Sequence, residues 1–447
     1  MKRTSFAKGL VAATAVSALG IVLLMSCGGE KIEESGVATG AHPVIVIALD
    51  GVRADALGCY GSSASTPAFD ALAAESVRFE WAFAQAPHSQ PSLATLFSGL
   101  YPTTNGLRSP GDYMADEATT LAEILKEAGY STAAFVEGRP GTSDYGLAQG
   151  FDSYQTVADP GVQALEWMKT HASEDFFLVL AGWSNLALEQ VNTLLEGAGQ
   201  PEGMDQRVVE VLASRSTDQP VDFSDEDLRW ARAWYAARIQ VIDRLLDGFL
   251  ADIRSLGLAD RATLVVLGSN GFALQEHGDL FSESLYTPVS RVPVLIRLAA
   301  GTDVRSVSKV VEVVDLMPTI LDLNGLPIPA GVQGSSVMSI LEGAGRPPYV
   351  AFAESPQSEG QRMVALGGMG MVSGVAGEGA EIFDLAMDPT QFTNLADSQK
   401  DKLEVMIRHL QAWEKMVSVS SLDPNLRTEE DLDEETLKQL KSLGYIQ

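Results

Sequence analysis

From Pro43 onward the chain alternates two textures. Short, continuous apolar runs at residues 44–49, 132–136, 176–180, 263–267 and 292–296 are each bounded by turn residues, as in strands covered on both faces of a parallel sheet. Between them lie helical patterns. Residues 119–128 close with Gly129 in the C-cap position, and residues 227–253 repeat apolar positions at helical spacing with charges outside. Strands alternating with helices predict an α/β fold, a mostly parallel central sheet flanked by helices. After about residue 345 the texture changes to short extended pieces at 349–353, 367–372 and 381–385, joined by glycines, which predict a small antiparallel sheet. A helix over 400–416 follows, with Leu403, Met406, Ile407, Leu410 and Trp413 on one face for packing. The expected organisation is an α/β domain over 43–345 and a C-terminal α+β subdomain and tail over 346–447.

The first 26 residues do not belong to this pattern. Lys2, Arg3 and Lys8 precede an apolar run over 9–25 that ends at Ser26-Cys27, the three parts of a secretory signal. A leucine three residues before Cys27, a small residue just before it and Gly28-Gly29 after it predict cleavage and lipidation at Cys27. The alternative, a spanning anchor, needs roughly 18 apolar residues, slightly more than the run supplies. Residues 27–42 are polar and glycine-containing, suited to a tether. The expectation is an exported chain, lipid-anchored on the cell membrane or outer membrane and facing the periplasm or exterior.

Composition adds two constraints. With 447 residues and 46% hydrophobic content, the chain can bury a large core and is not a disordered protein. Cleavage before Cys27 would leave 28 basic against 59 acidic side chains, a field that repels nucleic acid and argues against it as a partner. With Cys27 lipidated, Cys59 is the one remaining thiol and has no internal partner for a disulfide. Its sequence surroundings suit a small packed residue.

Chemistry concentrates at two places. Asp50 ends the first apolar run, where α/β folds present polar side chains. Ser89 precedes Pro91 and a helical pattern, which sets it at a helix start that favours a bound anion, or where it serves simply as a cap. The stretch Asp50-Gly51-Val52-Arg53-Ala54-Asp55-Ala56-Leu57-Gly58-Cys59-Tyr60-Gly61, the run from Thr66-Pro67 to Ala73, and Ser98-Gly99-Leu100-Tyr101-Pro102 resemble the sulfatases of the alkaline-phosphatase superfamily. So do Arg291-Val292-Pro293, Ile382-Phe383-Asp384-Leu385 with Asp388-Pro389 and Asn394-Leu395, and the tail over 434–447.

The resemblance implies a Ca²⁺ or Mg²⁺ held by an aspartate pair after the first strand and by Asp-Asn or Asp-His after a later one. It also implies a nucleophile in Cys/Ser-x-Pro-x-Arg. Here the first pair reads Asp50-Gly51 and the later one Ser269-Asn270, so a hard cation would meet one carboxylate where it wants several charged oxygens. The nucleophile stretch reads Ser89-Gln90-Pro91-Ser92-Leu93, and Leu93 in place of arginine argues against formylglycine at Ser89. No histidine follows the 176–180 run, and Ser282-Glu283-Ser284 replaces a second His-Gly after Glu276-His277-Gly278.

The candidate site is therefore Ser89 and His277 as catalytic residues, Asp50 and Asn270 as metal ligands, and Ser269 and Asp55 as secondary ligands. The expected function is a sulfatase-like surface lipoprotein whose metal site is degenerate and whose hydrolysis is lost or altered, with a small-molecule or glycan ester as ligand. The alternative is an active, metal-dependent sulfuric or phosphoric ester hydrolase that uses Ser89.

Overall fold

The computed structural model describes residues 40–423, apart from 139–143, 184–189, most of 192–222, 300, 302–304, 344–348 and 357–359. The leader, Cys27, the tether up to residue 39 and the tail motif over 434–447 lie outside the described residues. Within the expected tether, His42 is already tied to the fold. Its imidazole lies 2.6 Å from the Thr263 hydroxyl, and its backbone N–H donates to the Tyr130 hydroxyl at 3.2 Å.

The first apolar run is β1 (Val44–Leu49), every residue of it buried. It is followed by α1 (Pro67–Ala73), β2 (Val77–Phe83), α2 (Ser89–Ser98), α3 (Leu121–Glu127), β3 (Ser131–Glu137) and β4 (Ser153–Val157). Then come α4 (Pro160–His171), β5 (Phe176–Gly182), α5 (Asp225–Ser255), β6 (Thr263–Gly268), β7 (Arg291–Val292), β8 (Val294–Arg297) and β9 (Arg305–Glu312). These strands form one nine-stranded sheet in the order β9-β2-β8-β6-β1-β5-β3-β4, with β7 added alongside β2. The run from β6 through β4 is parallel, and β8 is antiparallel to both its neighbours.

Sequence patterning predicts the central strands because they are buried on both sides. It misses β2, whose Val77-Arg78-Phe79-Glu80-Trp81 alternates apolar and polar residues, as a strand covered on one face does. The helices begin where capping chemistry directs. Thr120 and Glu123 form a reciprocal capping box on α3, and Ser224 and Asp227 do the same for α5, whose first turn holds three acidic residues.

The C-terminal strands β10 (Val350–Ser355), β11 (Gln361–Leu366), β12 (Met369–Ser373) and β13 (Glu381–Asp384) make the expected antiparallel sheet. The helix α6 (Lys400–Val419) packs on it, with Trp413 stacked on Phe352 at 5.1 Å and edge-on to Tyr101 at 5.3 Å. Polar bolts join this layer to the central sheet and to the segment after α2. Glu312 accepts from the Tyr101 hydroxyl and the Phe352 N–H at 2.9 Å each, and the buried Glu354 accepts from the Thr103 N–H at 2.6 Å. Among the described residues no helix is long and apolar enough to cross a membrane.

One long-range cap orients α1. Thr66 makes no side-chain cap, and the buried Asp243 of α5 instead accepts from the N–H groups of Ala68 and Phe69 at 3.0 Å each. Asp243→Ala should therefore leave these donors unsatisfied and lower stability by about 2 kcal/mol, measured as a lower urea midpoint at unchanged slope.

Candidate functional site

Parallel pairing assembles the site. β1 lies between β5 and β6 in register, with Leu49 opposite Gly182 on one side and Gly268 on the other. The residues that follow each strand therefore emerge together at the carboxyl edge of the sheet. The turn after β1 is tight: Gly51 adopts φ 64°, a left-handed conformation that favours glycine. Backbone bonds from Ser269 N to Leu49 O (2.9 Å) and from Val52 N to Asn270 O (3.0 Å) stitch this turn to the segment after β6.

The helix α2 delivers Ser89 to the same point. His88 is extended, Ser89 begins the helix, and residues 91–98 are all buried, so the helix start cannot shift without disturbing the core. The hydroxyl of Ser89 lies 2.6 Å from Asp50 Oδ1, 3.0 Å from Asn270 Oδ1 and 3.1 Å from Ser269 Oγ. Ser269 and Asn270, 2% and 1% exposed, also lie within 3.1 Å of each other through Oγ and Oδ1. The structure thus gathers Asp50, Ser89, Ser269 and Asn270 into one cluster. Leu93, where the resemblance would put an arginine, is packed in the core.

Two other candidates point elsewhere. The Asp55 carboxylate, proposed above as a secondary ligand, is held by Arg53 in a two-pronged pair at 2.8 and 2.7 Å. The Arg53 guanidinium also binds Glu276 at 2.7 Å. An arginine fork that matches carboxylate geometry is a stronger partner for Asp55 than a reach back to the β1 turn. His277 faces a ring stack: its imidazole lies parallel to Tyr286 at 3.5 Å and to Phe392 at 4.7 Å, and Nε2 meets the Thr390 carbonyl at 2.8 Å. These contacts join it to Tyr286 and to the segment after β13 rather than to Ser89.

Two residues of the site's surroundings escape sequence reading. Arg238 of α5 is 2% exposed, and its guanidinium donates to the carbonyls of Asp50 and Gly51. Tyr235, one turn earlier, donates to the Gly51 carbonyl at 3.1 Å and accepts from the Arg53 N–H at 3.0 Å. The available signal was an arginine on the apolar stripe of an amphipathic helix, beside Tyr235, Ile239 and Ile242. After β5 the chain turns inward at Trp183, which is buried against Phe249 at 5.8 Å and supplies no titratable group.

An α/β fold with its polar cluster at the carboxyl edge of the central strands has the layout of the alkaline-phosphatase superfamily. Residues 42–326 match the sulfatase family model, and the chain belongs to the sulfatase family. It is similar to a Δ4,5-hexuronate-2-O-sulfatase of Bacteroides thetaiotaomicron, 24% identical over 80% of this chain and 85% of that protein. Arylsulfatase K of Xenopus laevis is 27% identical over 46% of this chain and 41% of that protein. Among solved structures, the phosphonate monoester hydrolase of Agrobacterium radiobacter superposes with a TM-score of 0.66 at 20% identity, covering 88% of this chain and 98% of that one.

The cluster does not fit the divalent cation that the family implies. Ca²⁺ takes about six to eight oxygens, and the tight sites include several carboxylates. Asp50 is the one carboxylate among the four residues gathered here. No group of three or more His, Cys, Asp or Glu among the described residues is placed to hold a metal ion.

The Arg53 triad carries a pH dependence. Burial works against the charge on Asp55 and on Glu276, but the arginine more than offsets it and holds both carboxyls below their ordinary values. The depressed values mean that their contribution is complete above the unfolded-state pKa values and is lost as pH falls through the lower folded ones. Because Asp55 is exposed and only Glu276 is well covered, Arg53→Met should cost on the order of 1–2 kcal/mol at neutral pH. The gap between variant and wild-type melting temperatures should narrow below about pH 4, near the ordinary carboxylate values.

Proposed function

We propose that this chain is a surface lipoprotein of the sulfatase family whose cleft binds a glycan or other ester ligand without hydrolysing it. The observation that carries the proposal is the cluster itself. A serine hydroxyl is a weak nucleophile unless a base or metal activates it. Here Ser89 is hydrogen-bonded into a set of four side chains with a single carboxylate. Function follows the site rather than the scaffold, so these substitutions outweigh the shared fold. The names of the relatives, a hexuronate sulfatase and an N-acetylglucosamine-6-O-sulfatase among them, support a carbohydrate as the ligand class.

A specific distance favours a second reading. Ser89 Oγ stands 2.6 Å from Asp50 Oδ1 at the start of a ten-residue helix, where a carboxylate could take the proton of an attacking serine. The two readings separate in one assay: the mature protein is given aryl sulfate and aryl phosphate esters with Ca²⁺, Mg²⁺, Mn²⁺ or Zn²⁺. We expect no turnover above that of Ser89→Ala; turnover that disappears in that variant establishes the hydrolase.

Export and anchoring through Cys27 are part of the proposal, supported by the charged start, apolar run and Ser26-Cys27 junction. Replacing Cys27 with serine should move the protein from the detergent phase to the aqueous phase on Triton X-114 partition. An unchanged distribution rejects a lipid at this position.

A further inference from the structure

We infer that Asp50, Ser89, Ser269 and Asn270 form a centre held by hydrogen bonds among its side chains and to the adjoining backbone, in which the Ser89 hydroxyl stands where a cation would otherwise gather the same oxygens. The inference deepens the proposed function and shares its four residues, but it concerns what holds the centre together and not whether it turns over substrate. Ser89 Oγ is the hub, 2.6 to 3.1 Å from an oxygen of each of the other three side chains. A hydroxyl has one proton and two lone pairs. With the proton given to Asp50, Ser89 can accept from Ser269, which leaves Asn270 Oδ1 to the Gly51 N–H at 3.4 Å. The Asn270 amide donates to the Gly271 carbonyl at 3.0 Å. Asp50, Ser89 and Ser269 are thus linked in one hydrogen-bonded chain, and Asn270 is held beside it by the backbone of Gly51 and Gly271.

Charge and the shortest contact argue against a cation as the organiser. Ligand oxygens about 2.1 to 2.6 Å from one ion stand roughly 2.8 to 3.5 Å from each other. The other contacts of the cluster, 3.0 to 3.1 Å, fall in that range, but the 2.6 Å between Asp50 Oδ1 and Ser89 Oγ is closer, and is the length of a hydroxyl donating to a carboxylate. An ion is not required to order the turn either. Arg238 and Tyr235 hold the Asp50 and Gly51 carbonyls from α5, and the Ser269 N–H and the Asn270 carbonyl hold the turn from the segment after β6.

What the centre lacks as a cation site is charge, since its oxygens already converge. Ser269→Asp combined with Asn270→Asp would bring three carboxylates to one point and make the fold depend on an ion to relieve their repulsion.

The test compares the wild-type chain and the double variant by thermal melting, in EDTA and in about 10 mM CaCl₂ or MgCl₂, where an ion bound only by the native state must raise the midpoint. The wild type should melt within about 1 °C of the same temperature in both. The double variant should melt lower in EDTA and rise by about 5 °C with the ion. A folded double variant with no ion-dependent rise overturns the inference. So does saturable binding of Ca²⁺, Mg²⁺ or Mn²⁺ to the wild type by calorimetry, a measurement that decides the matter alone if the double variant does not fold.

The outcomes also separate this inference from the proposed function. Turnover that persists in EDTA would remove the non-hydrolytic reading and leave the hydrogen-bonded centre standing. Ion binding without turnover would do the reverse.

Discussion

The site depends on the in-register parallel pairing of β1 with β6. Because Leu49 stands opposite Gly268, the next residue on one strand, Asp50, and the next two on the other, Ser269 and Asn270, share one edge. Parallel strands with buried faces tolerate little slippage, since a one-residue shift would carry every side chain of β1 to the opposite buried face and force both layers to repack. The register that protects the core therefore also fixes the distances in the cluster. The glycine turn at residue 51 and the buried helix that begins at Ser89 complete the convergence.

Within this frame, charge decides chemistry. The scaffold is that of a family built to gather oxygens at the carboxyl edge, and this chain still gathers them. Serine at 269 and glycine at 51 withhold the carboxylates that would hold a dication, while the two serine hydroxyls bond toward Asp50 and the Asn270 amide turns to the backbone. Meanwhile the positive charges described nearby have structural duties. Arg238 supports the Asp50 turn through main-chain carbonyls, and Arg53 ties Asp55 and Glu276 together. A buried guanidinium is tolerated because each is surrounded by acceptors, and Arg238 also lies 5.9 Å from the Phe272 ring.

The second layer shows the same economy. The antiparallel C-terminal sheet is joined to the central one through Glu312 and to the segment after α2 through Glu354, whose carboxylates accept backbone and side-chain hydrogens across the junction. His277 bridges the loop after β6 to the segment after β13 by ring stacking and the Thr390 carbonyl. A histidine that sequence resemblance offers for catalysis thus has a packing duty at the seam.

Much of this was legible in the chain as written. Continuous apolar runs mark β1, β3, β5 and β6 because a strand covered on both faces needs no polar alternation. Glycine-punctuated extended pieces mark the C-terminal sheet, and the spacing of Leu403, Met406, Leu410 and Trp413 marks α6. Asp50, Ser89, Ser269 and Asn270 could be nominated as a group because motif order survives even where individual residues have changed. Only the tertiary structure could decide which nominees meet. Asp55 lies five residues from Asp50 yet turns to Arg53, while Arg238 lies far along the chain yet touches the Asp50 backbone. Local sequence encodes periodicity and capping through neighbours along the chain. Which oxygen shares a proton with which is settled by strand register and helix placement, and those are properties of the whole fold.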